Sequence, residues 1–470
     1  MNWNFYNILR LFDYDDKTNL LLDGKWGLER ETHRILTTGD IALTNHPSAL
    51  GDKLKNPHIT TDFGESQLEF ITSPHYLIEE AYGELSEIHK KAEDVLENEI
   101  LWSMSMPPRL PREEEIPISK FSNSIEGKTK EVYRKGLALR YGKKMQMISG
   151  IHYNFSFGKE FIQYLFENFG GNTDKRVFAD KIYFAMARNF LKYRWILIYL
   201  FGASPNFDES YAPLSEGDFN YATSIRVSSL GYANSTKNKY KVTYNNLEGY
   251  IKDVKRLLAT KSNFFSELGI YNLGEQVQLN DNILQSEGEL YSYVRFKQVL
   301  QKGETHMEAL SKKGVDYIEI RILDINPFEK VGISIGQLYF MQVFMLYCLF
   351  ESPEEITDEI LDLTDKNHEM AALYGKDCNL LMKDYNNQEI TLQDWSKNIF
   401  RKLRYIAEAM DKKAKYKKYV DTINKEYEKI INPSKILSYK ISDEMNKYGE
   451  NFLEFGLRRA KLNTGIKKNK

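Results

Sequence analysis

Four short segments carry acidic, basic or imidazole side chains two residues apart. In GLERETHRIL the pair is Glu29 and Glu31, and in QLEFIT Glu69 stands between Leu68 and Phe70. In GIHYNFSF, His152 and Asn154 alternate with Ile151, Tyr153 and Phe155; in YIEIRILDI, Glu319 and Arg321 alternate with Ile318, Ile320 and Ile322. On an extended strand, residues i and i+2 project from one face. Each segment therefore has a greasy face and a polar one. If the four strands share a sheet with polar faces together, that face collects at least four carboxylates, an imidazole and a guanidinium. Carboxylates crowded so closely repel, and their burial costs several kcal/mol each unless a cation compensates. A divalent metal is the natural compensation. Oxygen-rich ligation with a single His suits Mg2+ or Mn2+ better than zinc. Mg2+ held by carboxylates commonly holds phosphates, and an Arg beside the acids suits charge stabilisation at a transferring phosphoryl group. The competing reading is an ordinary solvated sheet face lined with Glu and Arg, whose ion pairs contribute little. For HITTDFGESQLEFITSPH alone, with Asp62, Glu65 and Glu69, a half-exposed strand is the simpler expectation.

The elements that must position these residues follow from periodicity. Residues 27–36, 66–72, 151–157 and 317–325 alternate with period two and are expected as strands. A stripe through Leu77, Ala81, Leu85, Ile88, Ala92 and Leu96 predicts a helix over 77–98. Residues 131–147 read as helical, and 178–201 as one long apolar helix ended by Gly202 and Pro205. Residues 103–115 form a proline-punctuated loop, and 217–238 a polar one. Beyond residue 330 the pattern is mainly helical, with 333–350 a buried helix rather than a membrane span, since Gln337 and Gln342 interrupt it. The expected class is α+β: a sheet region over 1–330 and a helical region over 331–470, in a single unit.

Composition excludes several functions. The chain has 470 residues, 42% hydrophobic and 28% charged, with a net charge of −2, so no basic footprint argues for nucleic acid. The basic run 458–470 reads as a solvated tail, and 411–418 (DKKAKYKK) as an exposed helix face. Two cysteines, Cys348 and Cys378, make neither a disulfide framework nor a Cys-based zinc site. With no leader apparent at the N-terminus, the expected compartment is the reducing cytoplasm. No P-loop of the GxxxxGK[ST] form and no convincing dinucleotide fingerprint occurs.

The segments GLERETHRI, ITTDFGESQLEFIT, YRKGLALRYGKKMQMISGIHYNFSF, YLFGASP, ATSIRVSSLGYAN and YIEIRILDINPF occur in this order. Together they resemble the glutamate–cysteine ligase (γ-glutamylcysteine synthetase) family of the proteobacterial type. The resemblance implies a glutamine-synthetase-like fold, with a curved antiparallel sheet forming an active-site funnel flanked by helices. It implies ATP-dependent ligation of the L-glutamate γ-carboxylate to the L-cysteine amine through γ-glutamyl phosphate. ATP is then a co-substrate and Mg2+ or Mn2+ the cofactor. Glu29, Glu31, Asp62, Glu69, His152 and Glu319 fall on the family's metal-binding positions. Arg321 matches an arginine at the transferring phosphoryl group, and Arg226 one that holds substrate carboxylate or phosphate. Tyr133, Tyr232 and Tyr291 match aromatics of the cysteine pocket, and Gln146 a nucleotide contact. Some relatives carry a further ATP-grasp domain that adds glycine; none is expected here, so glutathione would need another protein. Two alternatives remain open: a related ligase with a different amine acceptor, and a non-catalytic binding module on the same fold.

Overall fold

All four alternating segments become strands because each has one face to bury. The structure, a computed structural model, describes residues 3–211, 219–232 and 240–465. The strands in chain order are β1 (Gly24–Leu36), β2 (Ile59–Thr61), β3 (Gln67–Ile71), β4 (Glu99–Leu101), β5 (Ile151–Phe157), β6 (Tyr271–Asn272), β7 (Glu275–Gln276), β8 (Val294–Lys297), β9 (Tyr317–Leu323), β10 (Leu381–Lys383) and β11 (Glu389–Thr391). The main sheet runs β2-β3-β1-β5-β9-β8, with β4 added on β1; β6-β7 and β10-β11 are separate two-stranded pairs. Every pairing is antiparallel. The protein is thus an α+β structure built on an antiparallel sheet.

The apolar face of the sheet presents Leu28, Leu68, Phe70, Ile151, Tyr153, Ile318 and Ile320 to the main core. Helices Ile78–Asp94, Lys175–Tyr193 and Ile335–Phe350 contribute to that core. The last is buried along nearly its whole length, and Ser334 and Gln337 close a capping box at its start. Each fully buried Leu or Phe here contributes about 1.5–3 kcal/mol relative to exposure. The C-terminal helices over 335–431 join this core, while Leu437, Ile441, Phe452 and Phe455 form a second cluster with Ile35, Ile100 and Trp102. No helix among the described residues is long and apolar enough to cross a membrane.

Several local expectations change. The apolar pattern over 178–201 is two helices, Lys175–Tyr193 and Trp195–Phe201. The break falls at Arg194, whose fully buried guanidinium turns back to the Leu191 carbonyl (2.6 Å). The 411–418 stretch is mostly a turn between helices Leu392–Met410 and Lys418–Ile431. Asp411 is buried there, and its carboxylate accepts the Val420 N–H (2.8 Å), folding the chain back. Within the basic run, 458–463 is helical and Arg458 pairs with Glu450 (2.7 Å), so this part is no frayed tail; 466–470 lie outside the described residues. Of the polar loop 217–238, residues 219–232 are described and irregular, while 217–218 and 233–238 lie outside.

Candidate active site

The strand β1 is the axis of the site, because its two neighbours each place a polar residue opposite one of its glutamates. Glu29 pairs in register with His152 on β5, and Glu31 with Glu69 on β3. His152 Nδ1 lies 2.9 Å from Glu29 and 3.4 Å from Glu319, and its Nε2 lies 3.5 Å from Glu31. Asn154 Nδ2 donates to the second oxygen of Glu29 (2.8 Å). Two groups of potential ligand atoms result, Glu29–His152–Glu319 and Glu31–Glu69–His152, the atoms of each lying within 4.8 Å of one another. His152 belongs to both. Asp62, just after β2, is outside these groups but close enough for its charge to act on Glu31 and Glu69.

The two groups differ in electrostatics. Around Glu319, burial favours the neutral acid, but Arg321, Lys297, Arg295 and His152 outweigh it and hold the carboxyl well below its usual range. Arg321 Nη1 is 2.7 Å and Lys297 Nζ 3.0 Å from that carboxylate. Burial also opposes ionisation of Glu29, and the His152 hydrogen bond together with the charges of His152 and Lys297 overcomes it. On the other side, burial raises Glu31 despite His152, with Asp62 adding to the rise. Glu69 is pushed well above the ordinary carboxylate range by burial and then by the charges of Asp62, Glu29 and Glu31. On the Glu31–Glu69 side the nearby cations His152, Arg226, Arg321 and Arg134 do not offset burial and carboxylate crowding, as in a cation-binding cluster.

Arg321 sits where β9 carries an extra residue against β5, since Ile151 pairs with Leu323 but Tyr153 with Ile320. Such a bulge re-aims a side chain in a way alternation alone does not predict. Arg226 arrives from the irregular segment 219–232. Its Nη2 donates to the Arg321 carbonyl (3.0 Å), and its Nη1 lies 3.6 Å from the buried Asp324. Gly150 makes room for it: a Cβ there would lie 1.9 Å from Arg226 Nη2. The Gly150 N–H also donates to Glu31 (2.8 Å). One residue thus serves both the acids and the arginine.

These groups open into a cavity of about 480 Å³, its mouth included, lined among others by Glu31, His152, Arg226, Tyr232, Tyr291 and Arg321. Tyr232 and Tyr291 form one wall with ring centroids 4.7 Å apart. Burial pushes Tyr232 up to about 12 and Tyr291 well above the ordinary phenol value, so both are neutral donors at neutral pH. Gln146 is buried behind this wall and donates to the Tyr291 hydroxyl (2.8 Å). Tyr133, on helix Ile125–Tyr141, faces the Ser286–Gly288 turn and is not among the lining residues. Sequence reasoning missed Lys297 and Arg295 on β8, although YVRFK alternates as the other strands do. It also missed Arg134, whose Nε donates to the Asp62 carbonyl and whose Nη2 donates to that of Thr61 (3.2 Å). No spacing signal tied that helical residue to β2.

The model of the glutamate–cysteine ligase family matches residues 9–371. A glutamate–cysteine ligase of Clostridium acetobutylicum is 46% identical, covering 98% of this chain and 100% of the relative. One from Pseudomonas aeruginosa PAO1 is 38% identical over 94% of this chain and 85% of its own length. Among solved structures, the glutamate–cysteine ligase of Francisella tularensis in complex with AMP superposes with a TM-score of 0.87 at 35% identity, over 94% of this chain and 88% of that one. A bifunctional glutathione synthetase from Pasteurella multocida superposes with a TM-score of 0.80 at 26% identity, over 97% of this chain and 54% of that one.

Proposed function

The chain belongs to the glutamate–cysteine ligase family, and on that premise we propose that the acidic sheet face is where its ligation chemistry occurs. The protein catalyses ATP-dependent formation of γ-glutamylcysteine from L-glutamate and L-cysteine. The observation that carries the site is the convergence of Glu29, Glu31, Glu69, His152 and Glu319 in two linked groups, of which Glu31 and His152 line one cavity with Arg321 and Arg226.

The donor set fits a hard divalent cation. It offers carboxylate oxygens and one imidazole, and on its Glu31–Glu69 side burial and mutual repulsion outweigh the nearby positive charges. Glu29, Glu31, Glu69, His152 and Glu319 would hold Mg2+ or Mn2+, with Asp62 at the edge. Bound there, the cation supplies charge neutralisation and orientation of the ATP phosphates. The chain's own groups do the rest. The γ-phosphoryl group passes from ATP to a γ-carboxylate oxygen of glutamate, and ADP leaves. Arg321, charged at all working pH, stabilises the negative charge on the moving group. Arg226 holds a substrate carboxylate or phosphate. The cysteine amine then attacks the acyl carbon, phosphate departs and the amine loses a proton. Tyr232 and Tyr291 form the wall for the cysteine, neutral and hence unsuited as bases. Gln146 supports Tyr291 through its hydrogen bond and is the group assigned to the nucleotide. Rate comes chiefly from positioning and fixed charge, since the acyl phosphate is already reactive. The two cysteines are unpaired, Cys348 buried and Cys378 exposed, which fits a reducing cytoplasm.

The test is ADP release by purified protein with ATP, Mg2+ and L-glutamate, with and without L-cysteine, and mass analysis of the product. Cysteine-dependent release with a γ-glutamylcysteine mass is expected. Preference for another amine would reassign the acceptor; ADP release unaffected by chelator would remove the metal from the site.

A further inference from the structure

The segment that carries Arg226 is gripped from behind by the helix Asp358–Tyr374. Thr223 and Ser224 donate backbone N–H groups to the Ala372 carbonyl (2.8 and 3.2 Å), and Lys376 donates its own to Tyr221 (3.0 Å). The Ser229 N–H and hydroxyl donate to the Glu369 carboxylate (3.0 and 2.5 Å). Between these grips stands His368, almost fully buried. Its Nε2 lies 2.7 Å from the Val227 carbonyl and its Nδ1 2.9 Å from Arg194 Nε. An arginine Nε–H can only donate, so Nδ1 must accept. The ring proton then sits on Nε2 and is donated to Val227. The tautomer is therefore set by Arg194, itself anchored by the Leu191 carbonyl and by Asp365. The imidazole also packs on Tyr293, centroids 4.3 Å apart, with the Arg194 guanidinium 4.5 Å over the same ring. Val227 and Tyr293 both line the cavity, and Val227 is the chain neighbour of Arg226.

We infer that His368 is a positioning residue for the ligation: held by Arg194, it fixes the Val227 peptide and thereby the aim of Arg226. The inference rests on the reading of Arg226 as a substrate-holding group. It also gives the helical C-terminal region a role in the chemistry, through a contact no sheet residue makes. Loss of a hydrogen bond that only stabilised the fold would lower the melting temperature without acting selectively through Arg226.

The discriminating experiment is a double-mutant cycle on kcat/KM for glutamate, with circular dichroism confirming folded protein at the assay temperature. His368→Phe keeps an aromatic ring against Tyr293 but removes both hydrogen bonds. It is expected to lower kcat/KM roughly ten- to a hundredfold, the scale of an ångström-sized misplacement. His368→Gln, which restores a donor near Nε2, is expected to recover most of this. In an Arg226→Lys background, His368→Phe is expected to cost less than about threefold, because the group it aims is already impaired. Full additivity in that background, or wild-type kcat/KM for folded His368→Phe, would overturn the inference. If the Phe variant does not fold, His368→Asn, too short to reach Val227, serves in the same cycle. Arg226→Lys with wild-type kcat/KM would instead overturn the site reading itself, and this inference with it.

Discussion

Substituting Gly150 by Ala tests the site with a single methyl group. Gly150 is not among the residues with positive φ, so alanine is conformationally acceptable and the effect is steric alone. The added Cβ would lie 1.9 Å from Arg226 Nη2, 2.4 Å from its Cζ and 2.7 Å from its Nε. An ordinary contact is about 3.5 Å, so the guanidinium must withdraw by roughly 1.5 Å. It cannot do so and keep its 3.0 Å bond to the Arg321 carbonyl. Overpacking of this kind destabilises by about 1–3 kcal/mol, which a protein of this size survives with a modest fall in melting temperature. Displacement of a substrate-holding group by an ångström or more costs about a hundredfold in rate. The expected result is therefore a folded enzyme whose kcat/KM for glutamate falls about a hundredfold, measured by coupled ADP release. The Gly150 N–H to Glu31 bond is retained, so the metal requirement should persist. A Gly150→Ala protein with wild-type kcat/KM would refute the placement of Arg226 at the reacting groups.

Other outcomes follow from the same geometry. Glu69→Gln is expected to lower turnover at least about a hundredfold, the scale of losing one strong electrostatic contact. In chelator-treated protein it should raise the melting temperature, because it removes a half-buried carboxylate crowded by Asp62, Glu29 and Glu31; a fall there would show that Glu69 is compensated by the protein. Arg321→Lys is expected to cost about a hundredfold in kcat, since an ammonium cannot reproduce the planar fork. His89, buried in helix Ile78–Asp94, is depressed to about 4 by burial, then by the charge of Arg30. The unfolded chain has the higher affinity for that proton, so the stability contribution is present above pH about 6.5 and lost as pH falls toward about 4. Between pH 6.5 and 5, wild type should lose about 1.5 kcal/mol more than His89→Phe in denaturant titrations; equal losses would remove His89 as the cause. 2-Aminobutyrate should replace cysteine as a poor-to-fair acceptor, because an apolar pocket separates side chains differing by one or two atoms only weakly; complete rejection would point to specific recognition of the thiol.

Much of the site was readable from spacing. Glu29 and Glu31, and His152 and Asn154, lie two apart on strands, and period two places each pair on one face without further information. The greasy partners Leu68, Ile151, Tyr153, Ile318 and Ile320 likewise announced which face would be buried. For Glu69 the simplest local reading, a half-exposed strand, leaves out that its half-buried carboxylate meets Glu31 on β1 and His152 on β5. That is a property of strand order, and no residue within 66–72 encodes it. The bulge that aims Arg321, the absence of a side chain at Gly150 that admits Arg226, and the Lys297 pairing with Glu319 depend on contacts far apart in the chain. The break at Arg194 has the same origin: its apolar neighbours favour an uninterrupted helix, and Thr364, Asp365 and His368, about 170 residues away, hold its guanidinium. Local periodicity decides which groups share a face, since it depends on backbone geometry alone. Which faces meet, and where charge is left uncompensated, depends on long-range packing that one-dimensional patterns do not contain.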